Sequence, residues 1–172
     1  MISIEAEKVE PEQGPKEFIL RDAAVVTMDD ERNAYESGFV WVRGDRIHRV
    51  GDVTALRDVP ASVAVSSARG RIILPGLVNA HGHLSNGILR GIYDEMPLSV
   101  WFAKGMWPVL EALDAQLGRI GAELALLELM TTGVTTTVSA EFGTPRKDLP
   151  DGVLAAIGQA HVRALVSRMT VD

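Results

Sequence analysis

Cysteine is absent from the 172 residues, which excludes a disulfide framework and any metal cage built on thiolates. A surplus of basic charge is absent too, since 17 Lys and Arg stand against 23 Asp and Glu for a formal net charge of −6. A nucleic-acid or anionic-membrane surface needs a basic stripe, and this balance does not supply one. No apolar run approaches the roughly 20 residues of a membrane-crossing helix. The stretch from Met1 to Lys16 mixes Glu and Lys with Pro11 and Pro15 and lacks the apolar segment of a signal peptide. Internal repeats and low-complexity tracts are missing as well. A soluble, cytoplasmic protein without nucleic-acid or membrane partners is the expectation. What is there is an apolar content of 47%, enough for a real core.

The first part of the chain reads as β-structure. Phe18 to Met28 and Gly38 to Val50 are rich in Val, Ile, Phe and Trp, and Gly44-Asp45 marks a tight turn between Phe39 to Val42 and Ile47 to Val50. Ala61 to Val65 and Arg71 to Leu74 add two short strands around an Arg69-Gly70 turn. Residues 1–74 are therefore expected to form a small antiparallel, sandwich-like β unit. From Leu77 the pattern changes to widely spaced apolar strands, Leu77 to Ala80, Val134 to Ser139 and Ala164 to Thr170, separated by helical segments. More than fifty residues separate the first two strands. Pro97 to Leu113 reads as a helix interrupted near Pro108. Ala115 to Met130 reads as a second, with Leu117, Ile120, Leu124 and Leu127 on its apolar face and Gly133 as its stop.

The strand at Leu77 runs into Asn79-Ala80-His81-Gly82-His83. Side chains at i and i+2 of a strand share a face, so both imidazoles converge on one point. Neutral imidazole is the commonest protein ligand for zinc and suits other first-row divalent ions. His81 and His83 are the candidate metal ligands. His48 lies on the hairpin and His161 after a helical run, neither placed to complete the site.

The string Pro75-Gly76-Leu77-Val78-Asn79-Ala80-His81-Gly82-His83 resembles the first-strand motif of the amidohydrolase superfamily. Leu89-Arg90-Gly91, Asp94, Trp101, Pro108, Gly121-Ala122-Glu123-Leu124 and Gly133-Val134-Thr135-Thr136-Thr137-Val138 resemble its cytosine deaminase, S-adenosylhomocysteine deaminase and triazine hydrolase branch. The resemblance implies an α/β fold, a metal-dependent (β/α)8 barrel preceded by the small β unit. Such a barrel takes about 250 residues, so residues 75–172 are expected to hold its first three βα units only. The remaining metal ligands and the general acid would then belong to a missing carboxy-terminal portion.

The same resemblance implies one divalent ion, zinc or alternatively iron, which makes hydroxide available for attack on a ring carbon while an acid protonates the departing amine. The expected reaction is hydrolysis of a carbon–nitrogen bond other than a peptide bond, in a nitrogen heterocycle such as a nucleobase or triazine. The fragment alone is expected to bind zinc weakly and to catalyse little, and the parent enzyme could form a homodimer. A cyclic-amide hydrolase of the dihydropyrimidinase type and a non-catalytic, truncated interaction protein are the alternatives. Trp101, Arg90 and Glu141 are the candidate substrate contacts. Arg90 could instead pair with Asp94, and Glu141 could be a solvated loop carboxylate. Phe102 and Trp107 read as core, Thr135 to Thr137 as packing, and Asn79 as a hydrogen-bonding brace for the loop. Adenosine-type relatives carry a glutamate two residues after the proline matching Pro108. Here Leu110 stands there and Glu111 follows, rotated by about 100° on a helix, which disfavours a nucleoside.

Overall fold

The computed structural model describes residues 16–92, 95–143 and 147–170. Asp94 and Asp172 lie outside the described residues. The chain divides into two compact units, Met1–Pro75 and Gly76–Asp172.

In the first unit β1 (Glu17–Val26), β2 (Ala34–Arg43) and β3 (Arg46–Asp52) form an antiparallel meander. The β2–β3 hairpin closes on Gly44-Asp45, where Gly44 takes φ +61°, a value a two-residue hairpin loop commonly asks of its first residue. The expectation of an entirely antiparallel unit needs correction at its edge. β4 (Ala64–Ser67) and β5 (Ile72–Ile73) do not pair with each other but run parallel to β1, against Phe18–Arg21 and Ala24–Val25 respectively. The turn between them steps sideways instead of reversing the chain. Ala68 N–H donates to the Arg21 carbonyl at 2.7 Å, and Ala24 N–H donates to the Arg71 carbonyl at 3.1 Å, so the chain stays beside β1. It does so where β1 itself bulges, at Asp22 with φ +65°.

Alternation places Ile19, Phe39 and Trp41 with Val63 in one cluster, and Ala23, Val25 and Val40 with Ala68 in another. At the end of β1, Glu17 Oε1 accepts from Trp41 Nε1 and from Arg43 Nε, each at 2.9 Å. The Arg43 guanidinium foremost, aided by Trp41 and opposed by desolvation, holds the Glu17 carboxyl below its ordinary value. A carboxyl lowered in the folded state stabilises fully above its unfolded pKa, and the contribution is lost as pH falls through the folded value. The urea midpoint of the wild type should therefore exceed that of Glu17→Gln at neutral pH, and the gap should close in acid. A gap independent of pH would contradict this role.

The second unit is built on three parallel strands in the order β6 (Leu77–Asn79), β7 (Val134–Phe142), β8 (Arg163–Met169). After β6 come a 3-10 segment, Leu84–Leu89, and a helical rod of α1 (Leu98–Val100), a π-helical stretch Trp101–Met106 and α2 (Trp107–Ala112). The π-helical stretch is the expected interruption at Pro108. Proline brings no N–H and its ring crowds the carbonyl four residues back, and a widened turn, with Trp107 N–H donating to the Phe102 carbonyl, carries the helix past it.

α3 (Ala115–Thr131) starts on the Asp114 side chain, which accepts from Leu117 N–H at 2.9 Å, and α4 (Leu149–Ala160) ends with His161 in the left-handed region at φ +53°. The buried face of α3 is not the expected one. Ile120, Leu124 and Leu127 are about half exposed, and the helix buries Gly118, Gly121, Ala122 and Leu126. Small residues win because they allow close approach: a Cβ on Gly121 would lie 2.2 Å from the Ser85 carbonyl oxygen, and one on Gly118 2.4 Å from Leu149 Cδ1. Leu84, Ala122, Leu126, Val153 and Ala156 form the resulting core. No helix of the described residues is long and apolar enough to cross a membrane.

Candidate metal centre

His81 and His83 sit immediately beyond the carboxy-terminal end of β6, with ring centroids 5.2 Å apart and planes at 82°. His81 is exposed and His83 half-buried. His83 Nδ1 lies 2.5 Å from the Ala140 carbonyl oxygen. A carbonyl can only accept, so Nδ1 is the donor and the neutral ring keeps its Nε2 lone pair for a metal, the arrangement by which a hydrogen-bond partner behind the ring fixes a ligating imidazole. Phe142 stacks on the same ring at 6.0 Å and 26°. Two neutral imidazoles, one with its tautomer set, fit zinc or another first-row divalent ion. Among the described residues no group of three or more His, Asp, Glu or Cys could hold a metal. The described part of the chain brings two candidate ligands to one place.

The loop carrying them is tied to β7 residue by residue. Thr137, Ser139 and Glu141 occupy alternate positions of that strand, on one face, and all are fully buried. Thr137 Oγ1 accepts from Asn79 Nδ2 at 3.2 Å. Leu84 N–H is shared between Ser139 Oγ at 2.9 Å and Glu141 Oε1 at 2.8 Å. Ser85 N–H points to Glu141 Oε2 at 3.4 Å, and Ser139 O–H donates to Glu141 Oε1 at 2.5 Å. On the neighbouring backbone, Ala140 N–H donates to the Gly82 carbonyl at 2.9 Å. Glu141 is thus neither a solvated loop carboxylate nor open to a substrate, because β7 extends through Phe142 and takes it into the interior. Asn79 braces the loop as its position suggested. Ser139 and Phe142 were missed as parts of the site, and Glu141 was expected there in a different role. Their signal was the polar alternation Thr137, Ser139, Glu141 on a strand flanked by helices.

The other candidates disperse. The Arg90 guanidinium, largely exposed, pairs with Glu128 on α3, and that carboxylate raises its pKa. Trp101 is half-buried and lines a cleft of about 270 Å³ together with Asn86, Leu89, Arg90, Met106 and Val109, a lining that does not include the two histidines. Trp107 packs on the cluster of Met106, Leu110 and Phe142, as a core residue should, whereas Phe102 is 40% exposed with its ring 6.4 Å from Phe142. Phe102 therefore extends the aromatic surface that begins at His83. His48 is exposed and meets the edge of Trp41 at 5.1 Å.

A His-x-His turn lies at the carboxy-terminal end of the first of three parallel strands linked through helices, the end at which β/α barrels build their sites. The chain belongs to the amidohydrolase family, whose model matches residues 72–172. It is 34% identical over 151 residues to a 5-methylthioadenosine/S-adenosylhomocysteine deaminase of Nitratidesulfovibrio vulgaris, a match covering 88% of this chain and 33% of the relative. A Bacillus cereus protein of the same description is 33% identical over 86% of this chain and 33% of its own length. Among solved structures, an atrazine chlorohydrolase of Arthrobacter aurescens complexed with zinc superposes with a TM-score of 0.75 at 25% identity, covering 90% of this chain and 36% of that one. The E. coli guanine deaminase shares the fold with a TM-score of 0.72 at 21% identity, over 90% of this chain and 38% of its own. The chain spans about a third of the length of the curated relatives it matches.

Proposed function

We propose that this chain is the metal-entry segment of a hydrolase that cleaves a carbon–nitrogen bond in a nitrogen heterocycle, with His81 and His83 as two ligands of one zinc or other divalent ion. The observation that carries the proposal is the His83 imidazole, whose Nδ1 is committed to the Ala140 carbonyl so that Nε2 is free beside His81. His81 and His83 would hold a divalent ion there, and such an ion would supply activation of water as a nucleophile at neutral pH. The chain's own residues orient that ion: Ala140 sets the His83 tautomer, Phe142 limits ring rotation, and β7 fixes the loop. The further ligands and the proton donor to the leaving amine are assigned to parts of the parent enzyme beyond this third.

For substrate, a free nucleobase or triazine-like ring is favoured over a nucleoside. Leu110, two residues after Pro108, is 1% exposed inside an apolar cluster, while Glu111 faces solvent. No carboxylate of this helix stands ready to hold ribose hydroxyls at that position. Trp101 is proposed as an aromatic wall of the ring-binding region. Arg90 keeps a proposed role in binding only if it releases Glu128.

The test is an ammonia-release assay on aminated nitrogen heterocycles, using the natural protein that carries this sequence. Release should stop on chelation and return with zinc. Turnover indifferent to a chelator that removes all bound metal would overturn the proposal.

A further inference from the structure

The one fully buried carboxyl group in the second unit's described core has no part in the chemistry above. Glu141 faces the backbone of the loop, with both oxygens directed at main-chain N–H groups of Leu84 and Ser85 and one also accepting from Ser139. Leu84 follows His83 directly and is itself 2% exposed in the core of α3 and α4. The first N–H groups of a helical segment have no partner within it, and the 3-10 segment Leu84–Leu89 has no capping side chain from His83, the residue that precedes it. Glu141 and Ser139 supply that cap from a different strand, 55 or more residues away in sequence. A cap given by a neighbouring residue would fix only the local turn. A cap given by β7 fixes the turn relative to the Ala140 carbonyl and the Phe142 ring, the two groups that orient His83.

We infer that Glu141, assisted by Ser139, is a positioning residue that clamps the His81-Gly82-His83 turn onto β7 and thereby sets the affinity of the histidine pair for its metal. The inference rests on the proposed metal-binding role of that pair. Glu141→Gln retains one acceptor oxygen and replaces the other with an N–H2 facing a main-chain donor, so one of the two amides loses its acceptor on residue 141. Ser139→Ala removes the second acceptor of Leu84 N–H and adds no bulk.

The experiment uses the whole natural protein that carries this sequence and two readouts: zinc titration followed through the histidine ring resonances, and amide hydrogen exchange at Leu84 and Ser85 without metal. Glu141→Gln should weaken zinc binding about 10- to 100-fold, the range for lost second-shell partners. It should also speed exchange at whichever of the two amides faces the new N–H2, while α3 and α4 stay protected. Ser139→Ala should move both readouts in the same direction by less. Ile19→Ala, which opens a core cluster of the first unit instead, should lower stability and leave zinc affinity unchanged. A folded Glu141→Gln with wild-type zinc affinity and wild-type exchange at Leu84 and Ser85 overturns the clamp. If that variant does not fold, Ser139→Ala decides in the same way, wild-type values in both readouts again overturning it. A wild-type chain that binds no zinc sinks the metal reading instead, and amide exchange then decides the clamp alone.

Discussion

Gly121→Ala should destabilise the second unit by about 3 kcal/mol, the upper end of the overpacking range, whereas Gly158→Ala, the same change in α4, should stabilise it by roughly 0.5–1 kcal/mol. On secondary-structure grounds alone the two substitutions are equivalent, since both exchange glycine for the best helix former inside a helix. Their surroundings differ. A methyl on Gly158 would meet nothing within 4 Å, while one on Gly121 would fall 2.2 Å from the Ser85 carbonyl oxygen and 3.0 Å from the Ser85 carbonyl carbon. The obstacle is backbone, so no rotamer change relieves it. α3 and the Leu84–Leu89 segment would have to separate, and Gly87, whose own added Cβ would lie 2.3 Å from the Gly121 carbonyl oxygen, shows that contact is equally tight from the other side. Because that segment follows His83, separation should also weaken zinc binding. Urea denaturation of both variants checks the prediction. A Gly121→Ala protein as stable as Gly158→Ala would mean that α3 and the loop do not pack as closely as described.

The same contact explains where reading the sequence fell short. Leu117, Ile120, Leu124 and Leu127 form a conspicuous apolar stripe, and burial of large side chains is the usual guide to a helix's inner face. On α3 that guide picks the wrong face, because two glycines and an alanine let backbones approach and Leu126 with Leu129 then fills the remaining space. Periodicity registers side-chain size and not the closeness that a missing side chain permits. The strands were legible where β-branched and apolar residues run together, as in Leu77–Asn79 and Val134–Ser139. The end of β7, Ala140 to Phe142, was not, since Ala140 and Glu141 look like a loop until their hydrogen-bond partners on the other side of the turn are known. The edge strands β4 and β5 were found as strands but not in direction, which is decided by the Asp22 bulge across from their connecting turn. The histidine pair was fully visible, because its spacing carries its geometry. Its support was not, because every supporting group lies more than fifty residues further on.

His81→Ala and His83→Ala should each remove nearly all zinc binding by the pair, and the double variant should be no worse than either single one. A pair of imidazoles holds a metal only while both bind it, so losing either reduces the site to a single weak donor, and the second substitution has little left to remove. Residues that act on one ion couple strongly, and a double-mutant cycle measures that coupling. The two single variants should still differ in stability. His81 is exposed, so its removal should cost the fold almost nothing, as for most surface changes. His83 donates to the part-buried Ala140 carbonyl and stacks on Phe142, so its removal should cost about 1–2 kcal/mol, a lost hydrogen bond plus a lost ring contact. Zinc titration and urea denaturation of all three variants separate the two effects. Additive losses in zinc affinity would show that the histidines bind independently, and a His83→Ala protein with wild-type zinc binding would remove His83 from the site. If instead binding collapses in both while stability falls only for His83, the two residues divide the work: His81 contributes a donor to the ion, and His83 contributes a donor and also ties the ion's position to β7, the strand that carries the rest of the support.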